Sequence, residues 1–253
     1  GNKANQAAGD IIFVNGGTFL KVLGCTLEDS WRDGIRFDGG GAWQANSEVR
    51  ECTIYEAGSS GFWSQDGQEI SVIKNLIKGS VAYGIVLRGD CCAEHNTVLD
   101  TDLDGIFCAG FSVSIIGNHI NREDNAFSTG QVDINVGGNE TTVIGNKVWY
   151  AGLDGIHVTT NGNLIDGNQA NGSERHGIKI SGDMNVIDGN IVNDNSASED
   201  GTFDNIHLVD GASNNVIDSN QCFGAGPTWN PGYGINIAGV NCVGNIVGEN
   251  SIS

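Results

Sequence analysis

Proline, methionine and aromatic side chains are all scarce: two prolines, one methionine and 7% Phe, Trp and Tyr in 253 residues. So little proline argues against rigid extended linkers, and so few aromatics leave an aliphatic core as the only large one available. Positive charge is also rare. Twelve Lys plus Arg stand against 31 Asp plus Glu, a net charge of -19, with no local basic patch. That balance excludes a nucleic-acid partner and an anionic membrane surface, which would both repel the chain. No apolar run approaches the roughly 20 residues that span a bilayer, and no signal peptide is visible, so the sequence reads as a mature or excised piece. The acidity fits an extracellular protein, an acidic or saline habitat, or binding of divalent cations, and composition does not choose among them.

What is abundant is glycine, 39 residues, and it recurs with a period. Asn146, Asn168 and Asn190 are 22 residues apart, as are the Gly-Ile pairs at Gly155 and Gly177. Extending the first marker gives Cys25, Cys52, Asn75, Asn96, Asn118, Asn146, Asn168, Asn190, Asn220 and Asn250, which predicts ten coils. The second marker runs Gly34, Gly61, Gly84, Gly105, Asp133, Gly155, Gly177, Asn205 and Gly234. A fixed period of this length belongs to solenoids, whose units bury their apolar faces only by stacking.

Within each coil, short runs such as GIHV and NLIDGN place Ile or Val at alternate positions and end in Gly, Asn or Asp. Period-two alternation broken by such residues predicts short strands joined by corners, and stacked coils would align them in parallel. Aligned Asn residues can pass side-chain hydrogen bonds up the stack, satisfying backbone groups at the corners. The prediction is an all-β, single-stranded parallel β-helix over residues 11–253, preceded by a polar lead-in, 1–10. The repeat pattern resembles the right-handed parallel β-helix superfamily of pectate lyases, polygalacturonases, alginate-modifying enzymes and phage tailspikes.

The chain stops within a repeat at Ser253 and offers no amphipathic helix to cap either end. Uncovered solenoid ends expose core and strand edges, so other domains, another subunit or end-to-end self-association is expected to cover them. Seven cysteines make an odd count. Cys25 and Cys52 occupy equivalent places in neighbouring coils and admit either a disulfide or two buried thiols.

Chemistry is sought where the repeat is interrupted. The distance between the two markers is 9 residues in six coils and lengthens to 15, 15 and 14 in three, giving long corners at 119–132, 191–204 and 221–233 on one side. Between the first two lie short-cornered coils, leaving a trough about 10 Å wide. In the Gly-Ile strand the residue after Ile points outward. The outward column therefore reads Arg36, Trp63, Val86, Phe107, Asn135, His157, Lys179, His207 and Asn236, with Asp133, Asp154, Glu174, Arg175, His176 and Asp204 beside it.

Removal of a proton next to a uronate carboxylate needs a base, here His157 or Lys179, and a positive charge against the carboxylate, here Arg175. Hydrolysis would instead use two carboxylates, here Asp133 and Asp154. His207, Trp63 and Phe107 are read as substrate-binding, the aromatics by stacking on sugar rings. Asp100, Asp102 and Asp104 form a candidate Ca2+ corner, with an acidic turn as the plain alternative.

The segments LDGI and ERHGIKI resemble the LDGF and DRHGF segments of secreted mannuronan C5-epimerase catalytic modules. The resemblance implies Asp154, Arg175 and His176 as substrate-contacting positions. Those modules carry Asp-Pro-His where this chain reads Asn135-Val136-Gly137, and an acidic residue where it has Thr159. The expected function is an extracellular or surface-located β-helix that binds or modifies an acidic polysaccharide. The alternative is a structural or adhesive solenoid of a viral fibre or surface filament, stacked end to end.

Overall fold

The computed structural model describes residues 3–5, 8–39, 44–65, 67–122, 132–199, 201–224 and 230–253. Among these there is no helix, and the strands are short, most of them three residues. This is what alternating triplets between Gly and Asn corners dictate. The strands pair only in parallel, coil on coil, and form three sheets.

The first sheet runs over 11 strands, from Lys3–Asn5 through Thr26–Glu28 to Ser251–Ile252. The second also has 11, with Lys21–Leu23 as a side member on Gln44–Arg50. The third has 10, from Ile12–Asn15 to Ile235–Ile237. The lead-in thus contributes a strand, because Lys3–Asn5 pairs in register with Thr26–Glu28.

The core is aliphatic, as the scarcity of aromatics required. In the third sheet Ile85, Ile106, Ile134, Ile156, Ile178 and Ile206 stack with no exposed surface. Burying each such side chain contributes about 1.5–3 kcal/mol. Val143, Ile165, Ile187 and Ile217 do the same for the second sheet, and Val98, Val148 and Val192, with Ile120 at 2% exposure, for the first.

The Asn ladder forms as the spacing predicts. Asn168 Oδ1 accepts the Asn146 amide at 2.9 Å and its Nδ2 at 3.0 Å, while Asn168 Nδ2 donates to the Val143 carbonyl at 2.9 Å. The same pattern runs from Asn75 to Asn250. A second ladder was not anticipated. Asn163, Asn185, Asn215 and Asn245 repeat the bond from backbone amide to Oδ1 at another corner, from Thr141 onward. Its signal was present as an Asn five residues before the first marker in the last four coils.

The Gly marker has a steric cause. A Cβ on Gly155 would lie 2.7 Å from the Gly177 carbonyl oxygen, and one on Gly177 would lie 2.2 Å from Val192 Cγ1. Asp133 and Asn205 take that place only where the preceding corner is long. Asn205 fills it by accepting a hydrogen bond from Asn195 Nδ2 at 2.8 Å.

All seven thiols are free, so Cys25 and Cys52 are not bridged. They are neighbouring thiols, and burial raises Cys52 above the usual thiol range.

Candidate functional site

The outward column is laid down by the third sheet. Its register pairs Arg36 with Trp63, Trp63 with Val86, Val86 with Phe107, Phe107 with Asn135, Asn135 with His157, His157 with Lys179, Lys179 with His207 and His207 with Asn236. At a strand spacing of about 4.8 Å, Trp63 and His207 stand roughly 29 Å apart on one face. Neighbouring members are one spacing apart, near enough to act together.

The upper half is aromatic and cationic. Tyr83, from the corner before its strand, stacks on Phe107 at 5.4 Å and tilts against Trp63 at 6.4 Å. Arg36 and Arg88 lie over the Trp63 ring at 5.5 and 5.2 Å. Val86, though in the outward column, is fully buried. Trp63 and Phe107 are half-buried rather than free-standing, so they form one surface with Tyr83.

The lower half holds the titratable groups. His157, Lys179 and His207 come from the column, whereas Asp154, His176 and Asp204 each precede a marker residue. Asp154 Oδ1 accepts the His176 amide at 3.2 Å, and its Oδ2 faces Lys179 Nζ at 3.6 Å. One oxygen is therefore structural. The Asp104 carboxylate does the same two coils earlier, accepting from the Val132 amide and from Asn135 Nδ2.

Around Asp204 the contacts converge. Its Oδ2 lies 2.7 Å from His207 Nδ1 and accepts from Asn236 Nδ2 at 3.0 Å. Its amide donates to His176 Nδ1 at 3.0 Å. The rings of His176 and His207 stack, with centroids 4.2 Å apart and planes 21° apart. Phe203 closes the other side, edge-on to His176 at 5.2 Å, with Arg175 over Phe203 at 5.7 Å. A depression of about 500 Å³ opens here, lined by Gly152, Leu153, Glu174, Arg175, Ser198 and Phe203 among others.

Protonation follows from these surroundings. Burial, and next the neighbouring His207, push His176 down to about 4. Burial also lowers His157, with Lys179 adding to the fall and Asp154 opposing it. For Asp204 burial acts upward, but the hydrogen bonds from His207 and Asn236 outweigh it and hold the carboxyl below its usual range. The neighbourhood therefore favours an anion at Asp204 and the neutral form of His176 and His157.

Several expectations change. Asp133 does not join the site. It sits at the marker place, 2% exposed, with Oδ2 unpartnered and its carboxyl raised well above the usual range by burial, Arg122 opposing the rise. A carboxyl pointing into a corner cannot face a glycosidic bond with Asp154, which removes that pair as a hydrolytic dyad. Lys179 Nζ is paired with Asp154 Oδ2 at 3.6 Å. His157 Nε2 is already engaged with Ser181 Oγ at 3.1 Å.

The three carboxylates of the acidic corner have different surroundings: Asp100 faces Lys78 Nζ at 3.6 Å, Asp102 is exposed, and Asp104 is bonded as above. Among the described residues, ligand atoms within 4.8 Å of one another occur instead at His176, Asp204 and His207. Both Nδ1 atoms there are occupied, one by an amide and one by the carboxylate, and the rings lie face to face. Two parallel imidazoles cannot both aim a lone pair at one ion, so this group fits a hydrogen-bonded cluster and not a metal centre. The corner 119–132 falls mostly on residues 123–131, outside the described residues, and so does 225–229 of the third corner. Asp204 and Asn236 were not singled out as site residues in the sequence. Their signal was their place, one directly before a marker and one next in the column after His207.

Residues 10–133 match the right-handed β-helix region family. The chain is a right-handed parallel β-helix. Among solved structures it is similar to the Azotobacter vinelandii mannuronan C-5 epimerase AlgE6 A-module, with 15% identity, TM-score 0.74, and 99% of this chain and 75% of that one covered. It is also similar to the enzymatically active domain of tailspike protein 2 of bacteriophage CBA120, at 13% identity and TM-score 0.68, covering 96% of this chain and 43% of the other. The periplasmic alginate epimerase AlgG matches at 12% identity and TM-score 0.65, with 96% and 77% covered. No curated protein matches the sequence. At these identities the likeness is one of fold, and the β-helix resembles the epimerase modules to that extent.

Proposed function

We propose that this β-helix binds and chemically modifies a uronate-containing polysaccharide outside the cell or on a surface, with the glycan lying along the outward column of the third sheet. The observation that carries this reading is the order of that column. A stacking surface of Trp63, Tyr83 and Phe107, flanked by Arg36 and Arg88, leads coil by coil into His157, Lys179 and His207. Aromatic faces take sugar rings, and the cations Arg88 and Arg175 supply attraction that the acidic remainder of the chain does not, Arg36 and Lys179 being paired with Asp33, Asp38 and Asp154. The folds shared with alginate epimerases and tailspikes are consistent with a carbohydrate ligand and leave the reaction to the site.

The reaction class favoured is proton removal beside a carboxylate, because the site offers imidazoles and cations rather than a facing pair of carboxylates. The test is isothermal titration with oligomers of mannuronate, guluronate and galacturonate, alongside a neutral oligosaccharide. Binding of one uronate series that weakens with salt supports the reading. Equal or no binding across all of them overturns it.

A second reading is a solenoid subunit of a fibre or surface filament, a fold that the bacteriophage tailspike structures share. Sedimentation showing only monomers at high concentration would exclude it.

A further inference from the structure

We propose that His207, oriented by Asp204, is the base that removes the substrate proton, and that His176 stacked on it is the neighbouring hydrogen-bond donor. This rests on the polysaccharide reading above and places the base three coils beyond Asn135-Val136-Gly137, where the epimerase resemblance puts its Asp-Pro-His segment.

The tautomers follow from the contacts. Asp204 Oδ2, an acceptor, is 2.7 Å from His207 Nδ1. Nδ1 must therefore carry a proton, which leaves the Nε2 lone pair free. The Asp204 amide donates to His176 Nδ1, so the proton of the neutral His176 ring is on Nε2. Two stacked rings thus present opposite characters: Nε2 of His207 accepts and Nε2 of His176 donates. Neither Nε2 is bonded within the protein among the described residues. His157, by comparison, has its Nε2 committed to Ser181.

The groups facing His207 are Asp204 and Asn236 at its Nδ1 side, His176 against its face, and Lys179 beside it in the sheet, itself paired with Asp154. An anion behind the ring and a cation beside it suit one step. The C5–H bond of the uronate breaks, and the proton passes to His207 Nε2. The electron pair moves onto C5 and the carboxylate, where Lys179 and the His176 N–H meet the negative charge. The imidazolium formed is held by Asp204. The pair then either takes a proton back at C5, or forms the C4–C5 double bond as the C4–O bond breaks and the leaving oxygen takes the proton from His207. Either ending balances without another reactant.

The experiment is incubation of the whole chain with oligouronates in D2O, reading deuterium at C5 and unsaturated ends, with binding measured separately. Wild type is expected to show one or the other, and His207→Gln to lose it by about 100-fold or more while binding changes by less than about threefold. Asp204→Asn should lower the rate by tenfold or more and move the acid limb of the pH profile to lower pH, since the imidazolium loses its counter-ion. A merely structural Asp204 would not move that limb. Nitrogen NMR of the free protein should show His207 protonated at Nδ1 and bare at Nε2 at neutral pH. Binding without exchange or elimination, unchanged rates in His207→Gln, or a proton on Nε2 overturns the assignment. Absence of any uronate binding overturns the polysaccharide reading, and the assignment falls with it.

Discussion

Asp204 joins His176 and His207 through different atoms: its carboxylate meets His207 Nδ1 at 2.7 Å, and its amide donates to His176 Nδ1 at 3.0 Å. One residue thereby fixes opposite tautomers in two stacked rings. The coil spacing that builds the core also supplies this pairing, because His176 and Asp204 hold equivalent places in successive coils.

That arrangement has a cost in acid. His176 stays neutral down to about 4, below its ordinary 6.5. Between those values the unfolded chain binds a proton that the folded chain refuses, so stability falls as pH drops from about 6.5 to about 4. The effect is about 3 kcal/mol at most. Urea unfolding at pH 7 and pH 4.5 should show this loss, and His176→Gln should reduce the difference between the two pH values. An equal loss in both would assign the acid sensitivity elsewhere.

The Asn ladder predicts a large cost for a small side chain. Asn168→Ala removes the acceptor for the Asn146 amide and side chain and the donor to the Val143 carbonyl. Leaving buried groups unpaired costs about 1–3 kcal/mol each, so a loss of about 3 kcal/mol is expected in chemical denaturation. Asn163→Ala should behave in the same way if the second ladder is equivalent to the first.

Backbone crowding separates two glycines. Gly155→Ala pushes a methyl against the Gly177 carbonyl at 2.7 Å, whereas Gly145, at φ +64°, has nothing within 4 Å of an added Cβ. Gly155→Ala should lower the melting temperature by several degrees, and Gly145→Asn, which tolerates that φ, by little. Equal effects would refute the steric account of the marker.

The aromatic surface predicts a change in affinity without a change in chemistry. Trp63→Ala and Phe107→Ala should each weaken oligouronate binding by about tenfold, with short oligomers less affected because they need not reach from His207 to Trp63. Titration across oligomer lengths distinguishes this from general unfolding, which would weaken all lengths alike.

Much of this was legible in the sequence because a parallel solenoid turns sequence spacing directly into spatial neighbours. The period of 22, the Asn ladder and the alternation of Ile156 and Val158 about His157 placed the coils, the sheet and the outward column without coordinates. Sequence spacing also put His157, Lys179 and His207 on one face. It did not reveal which way the side chains before each marker turn. Asp133, at a marker place, is buried, Asp154 ties down a neighbouring amide, and Asp204 reaches across to an imidazole, although all three are acidic residues just ahead of strands of the same sheet. Those differences arise from contacts between coils, from the room left by a long corner and from which donors the next coil presents. The chain by itself determined the stack and its exposed face. Only the tertiary structure decided which carboxylate is free to act and which histidine nitrogen faces outward.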